Sequence, residues 1–118
     1  MTRARETSEN ARQAKAWVVF NGSTGTQGQD NVTINSSFNV ASVTDRATGR
    51  YTVNFETAMA NTNYSAVGMC GNGAGSNITN THGVMQDDVI TTNSFGVKSS
   101  TLNADYDKVY ISVQFFGD

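Results

Sequence analysis

The chain has 118 residues, a formal net charge of −2, 37% hydrophobic residues and only 15% charged ones. That bounds it to one domain with a core of modest size, and so small a charge gives no footing for nucleic acid or an acidic membrane as partner. No apolar run approaches the ~20 residues of a membrane span, and with no Pro and 11 Gly among many Asn, Thr and Ser, the composition suits half-solvated strands joined by turns.

Residues 2–14 stand apart. Arg3, Arg5, Glu6, Glu9 and Arg12 lie among helix-tolerant residues, and Ser8 is placed to cap a short helix through Gln13. Ala11 and Ala14 are too small to give that helix an apolar stripe. The segment reads as an N-terminal arm, 1–14, either one that orders on a partner or a frayed tail, ahead of one domain over 15–118. It is basic but has no apolar run behind it, so it is not a secretory signal, and synthesis is expected in a cytoplasm.

Lys15 to Phe20 is the first expected strand and holds the one Trp, Trp17. A polar, Gly-rich loop follows from Asn21 to Asp30, and Val32 and Ile34 open a second strand. The stretch from Ser37 to Met59 reads as a β-hairpin. Phe38, Val40 and Val43 mark its first strand; Tyr51, Val53 and Phe55, alternating with Thr52 and Asn54, mark its second. Thr44 to Gly49 forms the connecting loop, with Asp45 bonding its own backbone and Gly49 taking a positive φ.

Ala60 to Asn63 is a turn by composition, and Asn63 to Cys70 is a strand with Tyr64, Ala66 and Gly68 on one face and Val67 and Met69 on the other. Cys70, the only cysteine, excludes an internal disulfide and reads as a small buried hydrophobe. Residues 71–77 form a second Gly-rich loop, and Ile78 to Gln86 is weakly patterned. Val89-Ile90 and Phe95 to Val97 look like short strands, and Ser99 to Asp107 is a polar loop. Lys108 to Phe116 is the clearest strand, with Val109, Ile111, Val113 and Phe115 facing one way and Tyr110, Ser112, Gln114 and Phe116 the other. Seven or eight short strands at this spacing predict an all-β fold, an antiparallel, jelly-roll-like β-sandwich. Apolar groups on both faces of the last strand predict a homo-oligomer, taken as a trimer, because a small sandwich buries only one face of each sheet.

Catalytic chemistry finds little footing. Gly71 to Gly75 follows a strand but lacks the Lys-Ser/Thr and helix of a phosphate loop. No Ser lies in a nucleophile-elbow context. His82, the only histidine, cannot build a His cluster, although with Asp87 and Asp88 it forms a set able to hold a cation if chains meet on an axis. The expectation is a protein that is not an enzyme and carries no cofactor.

The run Ala14-Lys15-Ala16-Trp17-Val18 with Phe20-Asn21-Gly22, the Ser37–Met59 hairpin and Asn63-Tyr64 resemble a small β-domain that recurs in tail-fibre and other virion structural proteins of bacterial viruses, notably marine ones. The likeness covers Ala14 to about Gly68 and the last strand. It departs from the family pattern at Val19, Arg50 and Ala60 and in a longer loop after Gly22, and it leaves Met69 to Asp107 uncovered. The family motif is structural and has no catalytic residues to transfer.

The resemblance implies a non-enzymatic virion structural protein, a tail-fibre or fibre-like surface protein that binds a host-surface glycan, or alternatively a capsid decoration or tail-connector protein with a purely assembly role. Residues 2–14 would then attach it to other virion proteins. The loops 71–77 and 99–107 fall where the family pattern fails, and loops on a rigid scaffold are where binding residues sit. Tyr106 is the candidate stacking group there, with Asn72, Asn77 and Asn103 as polar contacts.

Overall fold

In the computed structural model the described residues are 13–71, 83–100 and 105–117, with backbone alone at 83 and 85. They form eight strands: β1 (Ala14–Asn21), β2 (Thr33–Phe38), β3 (Val40–Ala47), β4 (Arg50–Phe55), β5 (Ser65–Gly71), β6 (Gly83–Ile90), β7 (Ser94–Ser100) and β8 (Tyr110–Phe116). Two four-stranded sheets, ordered β2-β1-β8-β5 and β3-β4-β7-β6, pack face to face, and every pairing is antiparallel. The protein is a β-sandwich, as the strand pattern predicts. The N-terminal arm and the helix from Ser8 lie outside the described residues.

Alternation builds the core directly. Ala16, Val18 and Phe20 of β1, Ile111, Val113 and Phe115 of β8, and Val43, Tyr51, Val53 and Val97 from the other sheet are all buried between the layers. Phe115 is the hub of an aromatic cluster, with ring centroids 5.0 Å from Phe55, 5.3 Å from Phe95 and 6.0 Å from Tyr64. Such edge-to-face pairs add about 0.5–1.5 kcal/mol each beyond the area they bury.

Three readings of the sequence are corrected. Phe38 and Val40 do not share a strand. Asn39 between them takes φ +57°, a conformation Asn tolerates, and its side chain holds the corner. Its Nδ2 donates to the carbonyls of Lys15 (3.1 Å) and Thr57 (3.0 Å), and its Oδ1 accepts from Thr57 N–H (2.7 Å). The chain therefore passes from one sheet to the other at Asn39, leaving Phe38 53% exposed while Val40 is buried. Asp45, expected in a loop, lies within β3 opposite Tyr51, and the turn narrows to Thr48 and Gly49, the latter at φ +70°. Val109, grouped with Ile111, Val113 and Phe115, is 43% exposed because the strand expected from Lys108 begins only at Tyr110.

The strand expected at Val89-Ile90 is the end of a longer one, β6, which begins at Gly83. The strand carries a bulge between Gln86 and Ile90, where Asp88 adopts φ +47°, and a bulge breaks period-two alternation. Gly96 on β7 faces it. A Cβ there would overlap the Asp87 carbonyl oxygen and lie 3.2 Å from Val89 Cβ, so only glycine lets the bulged backbone approach. Gly96→Ala should cost about 3 kcal/mol, the upper range for overpacking. Gly28→Ala, at φ +87° but with nothing within 4 Å, should cost ~1 kcal/mol for backbone conformation alone. Urea midpoints at constant m-value compare the two.

Candidate functional site

Tyr106 sits on a rigid base. Its backbone N–H donates to Ser99 O at 3.0 Å, and Ser99 Oγ donates back to Tyr106 O at 2.5 Å. Below it, Asp107 Oδ1 accepts from Gly49 N–H (2.7 Å) and from the Tyr51 hydroxyl (2.8 Å), which also lies 2.7 Å from Gly22 O. Gly22 N–H in turn donates to Lys108 O at 2.8 Å. The segment before β8 is thus fastened to the β3–β4 turn and to the end of β1. A Cβ on Gly49 would meet Tyr106 N at 2.6 Å, so the close approach requires glycine as much as the positive φ does.

Tyr106 as a residue is 42% exposed, with Lys108 Nζ 5.4 Å from its ring centroid, a cation–π distance. Asn72, Asn77 and Asn103 lie outside the described residues, so of the four expected recognition residues the structure places Tyr106 alone. Tyr110, on the outward face of β8, is 39% exposed.

Asp87 and Asp88 are not gathered for a cation. Arg50 grips Asp87 with two bonds, Nη2 to Oδ1 at 2.6 Å and Nε to Oδ2 at 3.1 Å, while Arg46 Nη1 reaches Oδ2 at 3.0 Å. The Asp87 carboxylate is only 3% exposed, and two guanidinium groups compensate its buried charge. Asp88 Oδ2 lies 3.5 Å from the same Arg50. Hydrogen bonding to Asp87, then its charge, holds the Arg50 pKa above its ordinary value. His82 lies outside the described residues. Among the described residues no three His, Cys, Asp or Glu groups gather in a metal-binding arrangement.

The outward face of the first sheet is the other prominent surface. Cross-strand register sets Phe38, Trp17, Gln114 and Val67 in one row and Ser36, Val19, Ser112 and Met69 in the next. Val67, Met69 and Phe38 are 52%, 65% and 53% exposed, and neither row contains a charged residue. Val67, Gly68, Met69, Ser112 and Gln114 line a shallow depression of about 240 Å³. The sequence sets Val67 and Met69 together on one face of their strand but does not say which face is buried. The continuation through Trp17 and Phe38 depends on strand order, which no local pattern reveals.

Cys70, expected to be buried, is half-buried against the core, and burial raises its thiol pKa. Burial, then hydrogen bonding to Asp107, keeps the Tyr51 hydroxyl protonated far above the ordinary tyrosine range. The chain matches no family model, no curated protein and no solved structure.

Asp45 supplies a pH test of this end of the molecule. Desolvation, then the charge of Asp107, raises its pKa above 3.8. A carboxyl group with a higher pKa folded than unfolded stabilises the fold below its ordinary value and loses that contribution as pH rises through the raised value. Asp45→Asn should therefore raise the melting midpoint at pH 7, and the gain should vanish on titration to about pH 3. Thermal melts across that range measure it.

Proposed function

We propose that this chain is a non-enzymatic structural protein of a bacterial virus particle, of the fibre or fibre-like surface class, and that its sandwich serves assembly as a homo-oligomer. The observation that carries the reading is the outward face of the first sheet. Its two central rows set Phe38, Trp17, Val19, Val67 and Met69 beside Ser36, Ser112 and Gln114, with no charged residue among them. Exposed apolar patches of this kind belong to protein interfaces. The strand motifs from Ala14 to Tyr64, which resemble virion β-domains, support the particle as the setting.

Residues 2–14, polar and charged, are the attachment arm in this reading. Mass spectrometry of purified particles should find the chain as a stoichiometric component. Deleting 2–13 should abolish its incorporation while leaving the melting temperature of the free protein nearly unchanged. Absence of the full-length chain from particles would overturn the proposal, and a large drop in melting temperature would assign the arm to the core instead.

A second reading, recognition of a host-surface glycan, is favoured by one observation: Tyr106 is held exposed on a hydrogen-bonded base beside Lys108. A partly exposed tyrosine offers the aromatic surface and hydroxyl that sugar recognition uses. Tyr106→Ala should then reduce adsorption of particles to host cells without changing the protein's oligomeric state or melting temperature. Unchanged adsorption would leave assembly as the sole role.

A further inference from the structure

The sandwich has four sheet edges, and three of them are guarded. The outer edge of β3 is already bonded by a neighbouring stretch of the chain: Gly28 N–H donates to Asp45 O at 2.6 Å, Asp45 N–H to Gln29 O at 3.0 Å and Val32 N–H to Val43 O at 3.4 Å. β6 carries the bulge at Asp87 and Asp88, fastened by Arg46 and Arg50. β2 is bulged at Asn35, where register with β1 slips, and its first N–H, from Thr33, is taken by Thr24 Oγ1 at 2.8 Å. Bulges, charges and covering segments are how sheets prevent edge-to-edge pairing.

β5 has none of these. Its seven residues run in unbroken register with β8, from Ser65 opposite Phe116 to Gly71 opposite Tyr110. The strand contains neither charge nor proline, and no described residue bonds its outer side. Two of the most exposed apolar side chains among the described residues, Val67 and Met69, stand on it. A flat, uncharged, unbulged edge is a template for another strand.

We propose that β5 is an interface strand that pairs with β5 of a second copy of this chain, antiparallel about a two-fold axis through Gly68. The two four-stranded sheets then become one continuous eight-stranded sheet. This register sets Val67 opposite Met69 of the second copy on the outward face, and Ala66 opposite Cys70 on the core side. A two-fold contact brings each residue's own chemistry back against the same strand, and like charges directly opposite one another destabilise a sheet. A strand with no charge meets that condition. The segments of this chain outside the described residues are poor occupants, since 72–82 offers only Ala74 and Ile78 as apolar residues and 2–12 is charged. Pairing also stops at two copies, because the remaining edges are guarded. The inference rests on the self-association proposed above and not on where the protein resides, so particle composition and solution mass test the two separately.

Light scattering and sedimentation of the full chain from 5 to 200 µM (roughly the span in which small interfaces associate) should give the mass of two copies. Val67→Lys or Met69→Lys should weaken association at least tenfold with an unchanged far-UV circular dichroism spectrum. Phe38→Lys, on the same face but at the β2 edge, should leave the pair intact. Amide exchange in β5 should slow in proportion to the paired fraction, and that measurement on the unaltered chain decides the matter alone should the lysine variants fail to fold. A single-copy mass throughout would overturn the proposal. So would a three-copy mass, which points to head-to-tail pairing of β5 with β2, or loss of association with Phe38→Lys but not with Val67→Lys. Protection, in the dilute single-copy state, of the β5 amides that point away from β8 would also overturn it, because residues 72–82 of the same chain would then occupy the edge.

Discussion

The hydroxyl of Tyr51 is the point where the two sheets and the entry to the last strand are tied together. Its ring is fully buried against Phe20, with centroids 5.1 Å apart, and its oxygen lies within hydrogen-bonding distance of both Gly22 O and Asp107 Oδ1. A buried phenol is tolerated only when its O–H finds a partner, so burial of this ring dictates where residues 22 and 107 must sit. Gly22 has no room for a side chain: a Cβ would lie 2.7 Å from Lys108 O and 2.8 Å from Ile111 Cδ1. From that constraint follow the position of Lys108, the start of β8 and the presentation of Tyr106.

The opposite rim is held by another device. At the β6 bulge, a backbone distortion is accommodated by an absent side chain at Gly96, and the carboxylate it turns inward is neutralised by Arg46 and Arg50. An ion pair this deep need not stabilise more than an apolar replacement would. Its consequence here is register: Asp87 can meet both arginines only if the bulge lies where it does, which fixes β6 on β7 and ends lateral growth of that sheet. The same bulge commits the Asp87 carboxylate to the two arginines and leaves Asp88 on the surface.

Elements with clean alternation and one buried face were legible in the sequence. β1, β4 and the stretch from Ile111 to Phe115 of β8 are where the period-two pattern places them, since each contributes a buried set to one core, while β5 is a strand as expected but adds only the half-buried Ala66 and Cys70. What escaped reading is non-local. Asn39 looks like a polar member of an alternating strand, and only its positive φ, fixed by Lys15 and Thr57, turns Phe38 away from Val40. Asp45 looks like a turn residue, yet residues 28 and 29 pair with its backbone and keep it in a strand. Ser99 and Ser100 look like loop residues but are buried, because small side chains fit where the segment carrying Tyr106 packs down. Of the expected recognition residues, Tyr106 could be picked out by its aromaticity in a polar stretch; its hydrogen-bonded base depends on Ser99, Gly49 and Asp107, which come together only through strand pairing.

The distribution of charge bears on why one face differs from the others. Arg46, Arg50, Asp87, Asp88, Lys98 and Asp105 all belong to the second sheet or to the segment beside it, where they pair with one another. The two central rows of the first sheet's outward face hold Ser36, Ser112 and Gln114 among apolar side chains instead. Small hydroxyl and amide groups keep such a face soluble while it is open, and they shed bound water at far lower cost than ions when it is covered. Charge is depleted in the same way at the centres of protein interfaces. Charge is thus paired on the second sheet and absent from the two central rows of the first sheet's outward face, so the proposed self-association would cover side chains that give up water at low cost.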